Sequence, residues 1–296
     1  MNVAAAVKTP AATITRSDAA APVIVATSPA DIFLRAGTTI DIGGKVAVFE
    51  RDTPVLLPDL VAGEDYGVKL DGEGRLFASL LGPENPFDAG WIAGFHHAPG
   101  GNARARAGGD STPAINPASL WDLGFRPSCP DPRGMVRVEA PAGRLFWIDI
   151  YLLGVDHKRD GTSRCGARIA DGVSLDRLNY HDAVAIMAGH GKRLPTYDEF
   201  RAAAYGVTEH SSANRHPKTT GLDAARTSAC GLMQATGNLW IWGTDGDPYD
   251  PRPSILGGSW LDGSNAGSRY AYLDYAWPVS SNESLSARGA CDHLGA

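Results

Sequence analysis

The run Arg144–Leu153, Arg-Leu-Phe-Trp-Ile-Asp-Ile-Tyr-Leu-Leu, constrains this chain more than any other stretch. It is almost wholly apolar and aromatic and shows no alternation of wet and dry faces. A strand of that composition has to be buried on both sides. Two short helices follow it. Tyr180–Gly189 carries Ala183, Val184, Ile186 and Met187 and stops at Gly189 and Gly191. The second, Thr196–Tyr205, opens with Thr196 and Glu199, a capping box in which each side chain satisfies an orphan backbone N–H. Phe200, Ala203 and Ala204 then face a core, and Gly206 ends the helix.

Upstream the pattern changes. Short apolar stretches (Ile32–Leu34, Thr39–Ile42, Val46–Phe49, Val55–Leu57, Tyr66–Leu70, Arg75–Ala78, Trp91–Phe95) are separated by turn words, among 35 glycines and 20 prolines in 296 residues. Gly43-Gly44 and Asp71-Gly72 are hairpin signals between alternating strands. Strands so closely spaced predict a small antiparallel sandwich or barrel. Residues 96–118 within it read as loop. Residues 1–29, rich in Ala, Thr, Ser and Pro, cannot bury a core alone and predict an arm or tail. The expected organisation is therefore α+β: an arm at 1–29, a small all-β, sandwich-like domain at 30–118, and a mixed domain at 119–296.

Composition excludes several functions. The net charge of −6 argues against bulk nucleic-acid binding, which needs basic surface to neutralise phosphates. No run approaches a membrane span, and the N-terminus lacks the basic start and apolar core of a secretory signal. Cys129, Cys165, Cys230 and Cys291 lack metal-ligand spacing. Free buried thiols or a Cys230–Cys291 disulfide both fit them. His96-His97 would point to opposite faces of a strand and would not share one ion. Asp245, Asp247 and Asp250 crowd one turn, but the calcium-loop spacing is absent, so a solvated loop is expected. No Gly-x-Ser-x-Gly elbow occurs, and no catalytic residue, metal or cofactor is expected.

The last forty residues are unlike the rest. Gly257-Gly-Ser-Trp260, Gly267-Ser-Arg269 and Ala287-Arg-Gly-Ala-Cys-Asp-His-Leu294 frame a segment of scattered polar and aromatic residues set among small ones. Four aromatics fall between Tyr270 and Trp277 with no helical or strand period. Tyr, Ser and Asn are what binding loops use: large amphipathic rings at low entropic cost, with small polar partners. The residues read as a display surface. The plainer alternative is a strand with Tyr270, Tyr272 and Leu273 in a core.

Several words, in this order, carry a resemblance: Arg193-Leu-Pro-Thr-Tyr-Asp-Glu-Phe200, Gly237-Asn-Leu-Trp-Ile-Trp242, Gly257-Gly-Ser-Trp260 and Ser286-Ala-Arg-Gly289. The chain resembles the formylglycine-generating-enzyme type of C-type lectin fold. Within it, it is most similar to the variable proteins of diversity-generating retroelements, the tropism determinants of phage tail fibres among them. Gly94–Gly100, Asp131–Met135, Asp149–Val155 and Ala36–Tyr66 extend the likeness over roughly residues 30–296, with the N-terminus departing from it.

The resemblance implies a C-terminal C-type lectin-like domain and a host cell-surface receptor, protein or glycan, as partner. It also implies a homotrimer beside other tail-fibre proteins, made in the host cytoplasm and carried in the virion. It implies that adenine-directed mutagenesis rewrites asparagine codons at Leu261, Asp262, Asn265, Tyr270, Tyr272, Asp274, Tyr275, Val279, Ser281 and Asn282. Glu283 lies on an expected position, although an asparagine codon ending in a pyrimidine does not yield glutamate. Trp260, Arg269, Arg288 and Asp292 become scaffold. A bacterial surface-displayed variable protein is the alternative. A formylglycine-generating enzyme fits less well, because no cysteine follows Trp260 before Cys291.

Overall fold

The computed structural model describes residues 12–100, 110–160, 164–175, 177–245, 252–273 and 277–295. In the N-terminal half the turn words fold as their chemistry dictates. Gly43-Gly44 joins the antiparallel strands Thr38–Ile42 and Lys45–Phe49, and Asp71-Gly72 opens the turn between Glu64–Leu70 and Leu76–Leu80. Three small sheets share one core, with Ile24, Ile32, Leu34, Ile40, Val68 and Phe95 fully buried in it.

Two features differ from the sequence reading. Within the stretch expected as an arm, Ala12–Thr15 pairs with Thr38–Ile42, and Ile24–Ser28 pairs with Asp31–Leu34. An Ala/Thr/Pro stretch needs no core of its own when it adds to a neighbouring sheet. Arg16 then reaches the buried Asp122 at 2.5 and 3.0 Å, and the same carboxylate accepts the Val23 N–H. The stretch expected as loop from residue 96 is in part strand. Ala93–Ala98 is buried throughout and pairs with Glu64–Leu70, Ala114–Ile115 and Trp121–Asp122. His96 is spent on hydrogen bonding, 3.1 Å from Asp65 and 2.9 Å from the Tyr151 hydroxyl, which links the two halves of the chain.

In the C-terminal half, Leu145–Asp149 is the middle strand of three, between Met135–Glu139 and Ala290–Asp292. Phe146, Trp147 and Ile148 are fully buried. The strand is shorter than the apolar run that predicts it. Residues 150–153 stay buried but leave the ladder: the Ile150 carbonyl accepts the Met233 N–H at 2.9 Å and Arg288 at 2.5 Å, Arg288 also takes the Asp149 carbonyl at 2.7 Å, and the Leu153 N–H goes to the Ala287 carbonyl. Apolar composition reports burial, and here burial continues without strand pairing. A second sheet runs Ala271–Tyr272, Pro253–Leu256, Trp240–Thr244, Leu285–Ser286, the last pair parallel. The two longer helices are Tyr180–Ala188 and Tyr197–Ala203, after a single turn at His157–Asp160, and the last carries the expected capping box from Thr196 and Glu199. All four cysteines are free, and the Cys230–Cys291 alternative fails on position. Cys230 packs on the Ala203 carbonyl, whereas Cys291 lies against Cys129.

Two polar devices hold the C-terminal strand. The Arg288 guanidinium is wholly buried and donates to the carbonyls of Asp149, Ile150 and Met233. Burial lowers its pKa to about 9, which still leaves it cationic at neutral pH. Glu199 is buried too and receives Arg193 twice at 2.7 Å, Arg144 at 2.5 Å and the Thr196 N–H at 3.0 Å. Arg193 and Arg144 also grip Asp292 at 2.7 and 3.1 Å. Burial alone would raise the Glu199 carboxyl, but these donors, Arg193 foremost, hold it below the usual carboxylate range.

Two outcomes are expected. Arg288→Ala leaves the buried Asp149 and Met233 carbonyls without a donor, while the Ile150 carbonyl keeps the Met233 N–H, and should cost roughly 2–4 kcal/mol, at about 1 kcal/mol or more for each orphaned carbonyl. The urea midpoint should fall at constant m-value; a loss under about 1 kcal/mol contradicts the role given to Arg288. For Glu199, a depressed folded-state pKa means the unfolded chain binds the proton first as pH falls. The stabilisation is complete above the unfolded value of about 4.3 and is lost as pH falls through the folded value. Glu199→Gln should therefore flatten the stability profile below about pH 4.3, and an unchanged acid limb would show that the pair contributes nothing.

Candidate functional site

The segment between Trp260 and Leu285 is tied down at both ends. Upstream, Gly257 and Gly258 adopt φ of +93° and +81°. A Cβ on Gly257 would meet Phe200 Cζ at 2.9 Å, and one on Gly258 would meet Ala266 Cβ at 2.6 Å. Both the backbone conformation and the close packing therefore require glycine. Gly257 receives the chain back: its N–H donates to the Tyr270 carbonyl and its carbonyl accepts from Gly267. Downstream, Leu285–Ser286 pairs with Trp240–Thr244, and Ala290–Asp292 joins the central strand.

Between these anchors the side chains divide in two. Leu261 is 62% exposed, Tyr272 50% and Val279 66%; Asn265, Asn282 and Glu283 are exposed as well. Tyr272 leans on the buried Trp240 ring at 5.3 Å, which orients it without covering it. The other group faces inward. Asp262 accepts from the Ser259 N–H at 2.7 Å and from the Ser259 hydroxyl at 2.5 Å, closing the turn after Trp260. Ser281 accepts from the Leu178 N–H at 2.8 Å and donates to the Gly172 carbonyl at 3.0 Å. Tyr270 is half-buried, with its hydroxyl 2.9 Å from His210 Nδ1. Asp274 and Tyr275 lie outside the described residues.

The scaffold residues also differ among themselves. Trp260 is half-buried against the core and stacks on His216 at 5.6 Å. Arg288 and Asp292 hold backbone and ion pairs as described above. Arg269 is exposed, and its contribution to the frame is a carbonyl that accepts the Tyr197 hydroxyl at 3.2 Å.

Sequence reasoning misses the floor of the site. Glu209 accepts the Ser268 N–H at 3.1 Å and its hydroxyl, and His210 meets both Tyr270 and the Ser264 carbonyl. Both sit in a stretch without hydrophobic period, where the sequence carries no signal of a partner sixty residues away. Leu273, which the sequence would place in a core, is instead 43% exposed, and Trp277, outside the candidate positions, is 74% exposed. Among the described residues the face they extend is mainly apolar and aromatic, and such a face can bind a partner. Among the described residues no cluster of three His, Cys, Asp or Glu side chains could hold a metal. No helix among them is long and apolar enough to cross a membrane.

Comparison with known proteins identifies the family. Residues 22–122 match the family model described as Mtd second domain. The tail fiber receptor-binding protein of Bordetella phage BPP-1 is 38% identical over 325 aligned positions, covering 94% of this chain and 84% of that protein. Among solved structures, the major tropism determinant U1 variant superposes with a TM-score of 0.85 at 36% identity, covering 95% of this chain and 86% of that one. The M1 variant superposes with a TM-score of 0.85 at 37% identity, covering 97% and 86%. The α+β architecture is thus a C-type lectin fold behind a small β-rich body, and the chain belongs to the major tropism determinant family.

Proposed function

We propose that this protein is the receptor-binding protein of a phage tail fibre, and that the face formed by residues 261–283 meets a ligand on the host cell surface. One observation carries the reading. Large side chains at Leu261, Tyr272, Trp277 and Val279 stand in water on a backbone that other residues fix. Exposed indole and phenol rings supply much binding energy per residue, and a rigid frame spares the entropy of ordering them. The family and its phage relative support placement in the virion.

The finer parts of the reading are a homotrimer, contact with other fibre proteins, and diversification by a retroelement. Trimers on several fibres would engage many receptors together, which multiplies a weak single-site affinity. Diversification would act on the outward group, Leu261, Asn265, Tyr272, Val279 and Glu283, at little cost to the fold. Asp262, Tyr270, Ser281 and Asn282 would tolerate fewer replacements, because each also holds backbone or floor; the exposed Asn282 accepts the Ser284 N–H at 2.9 Å and its hydroxyl at 2.7 Å. The proposed activity is binding, with no covalent step.

Virions carrying Leu261→Ser, Tyr272→Ser and Val279→Ser together should adsorb to host cells at least about tenfold more weakly, a loss of about 1.4 kcal/mol or more. The purified protein should unfold within about 1 kcal/mol of the parent, as surface substitutions do. Retained adsorption would move the receptor site elsewhere, and cooperative unfolding at a much lower temperature would make those residues core. Ser281→Ala makes the opposite case. It leaves the Leu178 N–H without its acceptor and should cost about 1–2 kcal/mol in a denaturant titration; an unchanged midpoint would free Ser281 to be a display position like the others.

A further inference from the structure

The stretch 127–129 runs antiparallel to 291–293. Pro127 pairs with His293, the Ser128 N–H donates to the Asp292 carbonyl at 2.9 Å, and the Leu294 N–H donates to the Arg126 carbonyl at 2.8 Å. One further step of that register sets Cys129 opposite Cys291 in a non-hydrogen-bonded pair. Facing Cα atoms in such a pair lie about 4.5 Å apart, within the range a disulfide spans. Side-chain contacts agree: the Cys129 N–H points at Cys291 Sγ at 3.0 Å, and both residues are buried in one cluster with Met135 and Trp147. Cys165 and Cys230 lie elsewhere, the latter on the Ala203 carbonyl.

We propose that Cys129 and Cys291 are a modification site: a peroxide converts them to a disulfide, with Cys291 as nucleophile and Cys129 as resolving thiol. The surroundings make the two sulfurs unequal. Cys291 Sγ receives the Cys129 N–H and lies 3.1 Å from the Ser128 hydroxyl. The Cys129 thiol, with these donors, holds Cys291 down to about 6, so it is largely thiolate at neutral pH. Cys129 itself is raised far above an ordinary thiol, by that same hydrogen bond to Cys291 and by burial, and keeps its proton. Arg126, whose guanidinium reaches the Cys129 carbonyl at 3.4 Å, and Lys192, paired with Asp149 at 2.6 Å, supply positive charge nearby.

The chemistry balances. Cys291 thiolate attacks one peroxide oxygen, the O–O bond breaks, and the released hydroxide takes a proton to become water, leaving a sulfenic acid. Cys129 sulfur then attacks Cys291 sulfur and the S–O bond breaks. The departing hydroxide takes the Cys129 proton as a second water. Two thiols lose two hydrogens, and one hydrogen peroxide becomes two waters. The burial of both sulfurs favours so small an oxidant over a bulky disulfide. The bond would close residues 129–291 into one loop that contains both helices and the whole exposed segment. A cross-link restrains the unfolded chain more the longer the loop it closes.

The test treats the full-length protein with one equivalent of hydrogen peroxide, alkylates it, and maps it without reduction. The expected result is a loss in mass equal to two hydrogens, a peptide linking Cys129 to Cys291, and a thermal midpoint raised by several degrees and restored by dithiothreitol. In Cys129→Ser, which keeps a side-chain donor beside Cys291 but cannot resolve it, Cys291 should instead be captured as a sulfenic acid by dimedone. Should that variant fail to fold, the map of the parent protein decides. The proposal is overturned if all four thiols remain alkylatable after peroxide, or if the linked peptide contains Cys165 or Cys230 or joins two chains.

Discussion

Arg288 carries a positive charge into the fully buried interior and hands it to backbone. The nearby Asp149 carboxylate is already engaged by Lys192 and by the Gly289 N–H, so the guanidinium is held by the carbonyls of Asp149, Ile150 and Met233. A buried charge is costly unless hydrogen bonds replace its hydration, and removing one member of such a set leaves the others unpaired. This one side chain ties the end of the central strand, the buried turn after it and the loop at Met233 to the segment that follows the exposed face. Glu199 does the complementary work, drawing Arg193 and Arg144 onto the helix cap while both arginines also hold Asp292.

That arrangement separates two demands that usually conflict. A residue that contributes to the core is not free to change, because changing its volume costs stability. Here the exposed segment contributes large side chains to solvent while its backbone is fixed by residues outside it or by small residues within it. The separation is incomplete at Asp262, Ser281 and Tyr270. Asp262 closes a turn on Ser259, Ser281 bridges Leu178 and Gly172, and Tyr270 reaches His210. Positions that look alike in a list of candidates therefore differ in how much structure depends on them.

Legibility in the sequence follows the distance over which a signal acts. The Thr196–Glu199 capping box and the Gly43-Gly44 hairpin are local, and both fold as their residues dictate. The apolar run correctly reports burial over 146–153, yet it overstates the strand, because past Asp149 the backbone turns to the Met233 loop and to Arg288. The arm at Ala12–Thr15 and the strand pair at Ala114–Ile115 have compositions too plain to announce a sheet; they are strands because a neighbour's edge is there to receive them. The candidate face is legible through its framing words and its odd spacing. Its floor at Glu209 and His210 is not, since a polar loop gives no sign of what it will touch.

The floor explains why the frame tolerates an irregular segment at all. A loop without period cannot satisfy its own backbone through a ladder, and buried N–H groups without partners would be expensive. Glu209 answers the Ser268 N–H, Ser259 binds through Asp262, and Gly257 collects the Tyr270 carbonyl and the Gly267 N–H. With the backbone polar groups met from beneath, outward side chains such as Leu261 and Val279 carry little structural duty. Their exposure then costs only the apolar area left in water, at about 25 cal/mol per Å². Covering that area is the free energy a ligand recovers on binding, so the residues that do least for the fold have the most to give to a partner.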